Sequence, residues 1–165
     1  MFGAVVIDPP GLPEVDHEYL LVQNETYLGP AGDSDGPADA AVAPENVATG
    51  VPSLTMFNGH ATQYMHAPLA AQVGDRVRIW VLAAGPSKGV SFHVVGGQFD
   101  TVYKEGVYLL RPGETGGGGA QVLDLASAQG GFVELEFSEP GTYPFVNHSL
   151  AEAERGAKGL IRVSP

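Results

Sequence analysis

The chain has 165 residues, with 19 acidic and 8 basic side chains and a formal charge of −11. That balance leaves nothing to neutralise phosphates, which argues against nucleic acid and anionic membrane surfaces as partners. There is no cysteine, which excludes disulfides, zinc–thiolate sites, iron–sulfur clusters and thiol catalysis.

A hydrophobic share of 44% suffices for one core-bearing domain over 1–165. No apolar run reaches a membrane span, and no basic-then-apolar leader is visible at the start. Met1–Asp8 is an apolar, strand-like run closed by Pro9-Pro10-Gly11. His17–Leu28 is rich in strand formers. Residues 29–52 are rich in Ala, Gly, Asp and Pro and read as a long acidic surface excursion, with at most a short helix near Asp39–Val42. Leu54–Asn58 is a short strand entering the Asn58-Gly59 turn. Leu69–Val73 and Arg76–Leu82, joined by Gly74-Asp75, predict a hairpin. In it Val77, Ile79 and Val81 alternate with Arg76, Arg78 and Trp80. Val90–Val95 is a buried-type strand ending at Gly96-Gly97. Thr101–Lys104 and Val107–Leu110 are short strands, Arg111–Gly119 is a Gly-rich loop, and Asp124–Gln129 reads as a helical turn. Phe132–Phe137 and Thr142–Val146 predict a second hairpin, and Leu160–Val163 closes the chain. Short strands separated by turn signals, without an internal repeat, indicate an all-β fold of the Greek-key β-sandwich type.

Hydrolase elbow, zincin and phosphate-loop motifs are all missing. The GETGGGGA run has no lysine and no helix start after it, so it reads as a loop tip. Chemistry is left to five histidines. His17, between Asp16 and Glu18, reads as solvated. His60 follows the Asn58-Gly59 turn and His66 falls in a loop, and both read as surface residues. His93 is the one polar ring in the apolar strand VSFHVV. It is either a core histidine bonded to backbone or an imidazole held for proton transfer. His148 stands at a strand exit, ahead of a loop with no Gly or Pro until Gly156, where a neutral imidazole is a good ligand for zinc or copper.

The order of segments resembles the second cupredoxin domain of two-domain copper nitrite reductases and related multicopper oxidases. FNGH (57–60), VGDRVR (73–78), SFHVVG (91–96) and YPFVNHSL (143–150) carry the resemblance over nearly the whole chain. Of these, SFHVVG and YPFVNHSL are the specific ones. The resemblance implies that His148 ligates a type-2 copper at a subunit interface of a homotrimer. The other two histidines would come from the first domain of a neighbouring subunit. It implies that His93 donates protons to a bound small anion or dioxygen, and that Val95 shapes the substrate pocket. Met1 matches the weak methionine ligand of the family's type-1 copper, unless it is a start or cloning residue. Without cysteine this chain cannot complete that centre. A copper protein lacking its first domain is thus expected, inactive alone, with an exported parent. The resemblance also departs from pattern. A Glu-Thr pair that supports the active-site histidine in nitrite reductases falls at Gln121-Val122, so that support is expected to be missing. A laccase-type trinuclear cluster needs His-x-His pairs, and there are none. The alternative from another class is a copper-free cupredoxin-like module for assembly or binding. In that case His93 and His148 need not share a site.

Overall fold

The computed structural model describes residues 3–29, 42–114 and 118–165. Among the described residues eleven strands form two sheets. They are β1 (His17–Thr26), β2 (Leu54–Phe57), β3 (Leu69–Gln72), β4 (Arg76–Gly85), β5 (Val90–Val94), β6 (Thr101–Lys104), β7 (Val107–Leu110), β8 (Leu123–Leu125), β9 (Gly130–Glu136), β10 (Gly141–Asn147) and β11 (Lys158–Ser164). The first sheet runs β2-β1-β4-β9-β6-β7 and the second β3-β11-β10-β5-β8. Two helices, α1 (Gln63–His66) and α2 (Leu150–Glu154), precede β3 and β11. This is the β-sandwich that the strand pattern predicts.

Period-two alternation builds the core. Val77, Ile79 and Val81 of β4 are at most 2% exposed and face Phe92 and Val94 of β5 and Phe145 of β10, which are fully buried. Phe57 meets Phe145 at 5.6 Å and Phe92 at 6.2 Å between ring centroids, so an aromatic cluster joins the sheets.

The other face of β4 is not solvated. Arg78 is 3% exposed, donates to Glu134 on β9 and to the Pro13 carbonyl, and stands 5.3 Å over the Phe132 ring. Arg76 bonds Asp100 and Glu134, and these carboxylates raise the pKa of its guanidinium. The chain before β1 supplies the cover.

Several local expectations are corrected. Neither predicted hairpin exists. β3 pairs parallel with β11, while β4 pairs with β1 and β9. β9 lies in the first sheet and β10 in the second. Both connections are corners that switch sheets, and they brace each other: Gly74, at φ 85°, donates its N–H to the Phe137 carbonyl at 3.0 Å. Residues 3–8 form no strand. The stretch expected as a helical turn starts inside β8 and ends in a turn with Ala128 at φ 73°. The expected helix near Asp39–Val42 lies mostly outside the described residues, and Val42 forms a bridge to Leu28. A short 3-10 helix follows at Pro44–Thr49. The segment between His148 and Gly156, read as loop, is α2.

Two predictions follow from the packing. An alanine at Gly159 would put its Cβ 2.3 Å from Phe145 Cζ and 2.4 Å from Tyr64 Cβ. Gly159→Ala is expected to lower stability by about 1–3 kcal/mol in denaturant titration. Tyr27 is buried and donates to Glu25 Oε2 at 2.5 Å, and burial first, then that carboxylate, raises its phenol pKa. A raised value in the fold means that its stabilisation is intact below about pH 10 and is lost as pH rises through the folded value. Tyr27→Phe is expected to remove part of the alkaline loss of stability.

Candidate functional site

The outer face of the second sheet carries the two singular histidines. β10 pairs antiparallel with β5, Val146 opposite His93 and Asn147 opposite Phe92. Alternation then puts Phe92, Val94, Phe145 and Asn147 inward and His93, Val146 and His148 outward. His148 lies one residue beyond β10 and continues the ladder, its N–H donating to the Ser91 carbonyl at 2.8 Å. It is thus diagonal to His93, within reach of a ring. The two imidazoles meet with centroids 5.3 Å apart and planes at 74°. His148 is exposed and His93 half-buried.

His93 Nδ1 is 2.6 Å from the carbonyl oxygen of Gln121. A carbonyl only accepts, so Nδ1 carries the proton and Nε2 is left for exchange. Gln121-Val122 stands where the Glu-Thr pair is expected to be missing, and the ring is held there by a backbone carbonyl that no side chain at that position could reveal. Among the described residues neither ring nitrogen of His148 has a hydrogen-bond partner. Val95, 46% exposed, follows His93 on the same face, with its N–H on the Pro144 carbonyl.

Beneath this face lies a buried polar cluster that the sequence reading missed. Asn147 and Gln23 are both fully buried. Asn147 Oδ1 accepts from the N–H groups of Ser91 and Ser149, at 3.1 and 3.0 Å. Its Nδ2 donates to Gln23 Oε1 at 2.9 Å and to the Gly89 carbonyl at 3.2 Å. Polar residues at inward positions of apolar strands were the available signal.

The other sequence candidates lie elsewhere. His17 is not merely solvated: its Nε2 is 3.0 Å from Asp75 Oδ2. His60 bridges Phe57 beyond the turn, and His66 ends α1 rather than sitting in a loop. Met1 lies outside the described residues. No group of three or more His, Cys, Asp or Glu could hold a metal among the described residues. For copper, the donor set of this chain fits as one wall of a site: an outward, uncommitted imidazole beside a second whose Nδ1 is already engaged.

No protein-family profile matches the chain. Among curated proteins it is 34% identical over 170 residues to a copper-containing nitrite reductase of Neisseria gonorrhoeae, covering 99% of this chain and 40% of that protein. A copper-containing nitrite reductase of Alcaligenes xylosoxydans is 32% identical, over 90% of this chain and 46% of that protein. The chain thus spans less than half the length of these relatives. Among solved structures, a copper nitrite reductase from Nitrosomonas europaea superposes with a TM-score of 0.77 at 28% identity, covering 99% of this chain and 55% of the other. A multicopper oxidase superposes at 0.67 and 25%, over 92% of this chain and 45% of the other.

The engaged carbonyl makes the tautomer of His93 testable. Its neutral ring is expected to carry the proton on Nδ1, read from ¹⁵N shifts of the metal-free chain. Gln121→Ala is expected to leave that tautomer unchanged, because the acceptor is backbone.

Proposed function

We propose a role in copper redox chemistry from one premise: this chain is a cupredoxin domain of the copper-containing nitrite reductase and multicopper oxidase family. Its relatives are larger copper proteins, so the function belongs to a protein with a further, N-terminal cupredoxin domain, exported and assembled as a homotrimer. In that assembly His148 is one ligand of a type-2 copper, and two histidines of a neighbouring subunit's first domain complete the set. The observation that carries this reading is the contact of the His93 and His148 rings, 5.3 Å apart on one outward face. A copper-free assembly module places no demand on that contact.

The substrate is a small anion, nitrite in the first instance, with dioxygen as the alternative at the same position. Copper, when bound, supplies the electron. Conversion of nitrite to nitric oxide and water also consumes protons, and their delivery falls to this chain. His93 presents Nε2 for exchange while the Gln121 carbonyl keeps the ring in one orientation. Val95 supplies an exposed apolar wall that limits the size of what sits beside His93. The type-1 centre needs a thiolate, so it resides in the first domain, with Met1 at most a weak outer ligand.

In the whole protein, His148→Ala is expected to remove the type-2 copper signal from the electron paramagnetic resonance spectrum and to abolish nitric oxide production. His93→Ala is expected to keep the copper and to slow turnover by roughly 10²–10⁴-fold. Unchanged type-2 copper in His148→Ala would overturn the ligand assignment. The chain of 165 residues by itself is expected to bind copper weakly and to release no nitric oxide from nitrite. Turnover by it would sink the shared site.

A further inference from the structure

We infer that Asn147 and Gln23 are positioning residues for His148, a buried pair of amides that crosses the sandwich and sets where the imidazole stands. The inference rests on the ligand role proposed above for His148. Gln23 belongs to β1 in the first sheet and Asn147 to β10 in the second, so the 2.9 Å bond between their side chains links the two layers. An amide offers two acceptor and two donor positions, and Asn147 uses all of them.

The partners are placed with respect to His148. Ser149 is its covalent neighbour on one side, as Asn147 is on the other. Ser91 supplies the carbonyl that accepts the His148 N–H at 2.8 Å. One amide therefore fixes both neighbours of the histidine and its cross-strand contact. Gln23 in turn fixes that amide, and its Nε2 donates to the Gly89 carbonyl at 3.0 Å, the same oxygen that Asn147 Nδ2 reaches.

Chain geometry explains the need. β10 ends at Asn147 and the chain turns into α2 within a few residues. At that turn the N–H groups of Ser91 and Ser149 lie where the ladder no longer supplies acceptors, and the Asn147 oxygen takes both. Buried amides cost free energy unless every polar position is matched, and the pair matches one another. Both groups are neutral and do not titrate, so the placement does not change with pH.

The test uses Gln23→Met, which keeps length and volume but forms neither hydrogen bond, and Gln23→Glu, which keeps an acceptor for Asn147 Nδ2. Two readouts apply: the nuclear Overhauser contact between the His93 and His148 rings in the metal-free chain, and Cu(II) affinity at the type-2 site of the whole protein. Gln23→Met is expected to lose the ring contact and to weaken Cu(II) binding by roughly 10–100-fold. The β5–β10 backbone contacts should persist. Gln23→Glu, measured at a pH low enough for its buried carboxyl to be protonated, so that it accepts from Asn147 Nδ2 and donates to the Gly89 carbonyl, is expected to fall between Gln23→Met and the unaltered protein. An intact ring contact with unchanged affinity in Gln23→Met would overturn the inference, as would equal losses in both variants. Should Gln23→Met fail to fold, Gln23→Glu decides alone, and values identical to the unaltered protein overturn it. His148→Ala in the same titration separates the two claims. If it leaves affinity unchanged, the ligand reading fails, while the ring contact measured without metal still decides the positioning.

Discussion

The register between β5 and β10 is the constraint on which the rest depends. Opposing Val146 to His93 sends both histidines outward and the phenylalanines inward. A slip of one residue would turn one of the two strands over, burying its histidine and exposing its phenylalanine. The cost of exposing a large aromatic ring exceeds what the outer face could recover. The site is therefore aimed by the hydrophobic core behind it. Phe92 and Phe145, with centroids 5.9 Å apart, sit directly under the strands that hold the histidines.

The two outer faces of the sandwich are treated differently. On the first sheet Glu134, 4% exposed, sits between Arg76 and Arg78. Such a triad adds little net stability over an apolar packing, but removing one member leaves a buried charge unpaired. It holds the incoming chain through the Pro13 carbonyl and closes that face. Among the described residues the second sheet's outer face has no such cover at His148, Val95 and Val122, which are exposed. The ligand role proposed for His148 requires that openness. The fold thus seals one face with its own chain and leaves the other exposed around His148.

How much of this was legible depends on range. β1, β5, β6 and β7 were readable because alternation and turn residues are local. The corners at Gly74 and Ser138–Gly141 were misread because a short loop between two strands looks the same whether it folds back within a sheet or crosses to the other. Which one occurs depends on where unpaired edges lie, and β11, more than eighty residues after β3, supplies the edge that β3 joins. The stretch after His148 lacks Gly and Pro, a helix-compatible composition, yet its five helical residues are too few to show a periodicity.

The sequence by itself determined the all-β class, the acidic and cysteine-free chemistry, and the two histidines worth following, because each rests on composition or on period-two neighbours. Only the tertiary structure decided that His93 and His148 touch, that a backbone carbonyl at Gln121 orients His93, and that Gln23 and Asn147 meet in the core. Those are contacts between residues 55, 28 and 124 positions apart. The physical reason is that pairing across strands and layers depends on register and sheet assignment. Both are set by the burial of the whole apolar surface at once, and no local window of sequence contains that balance.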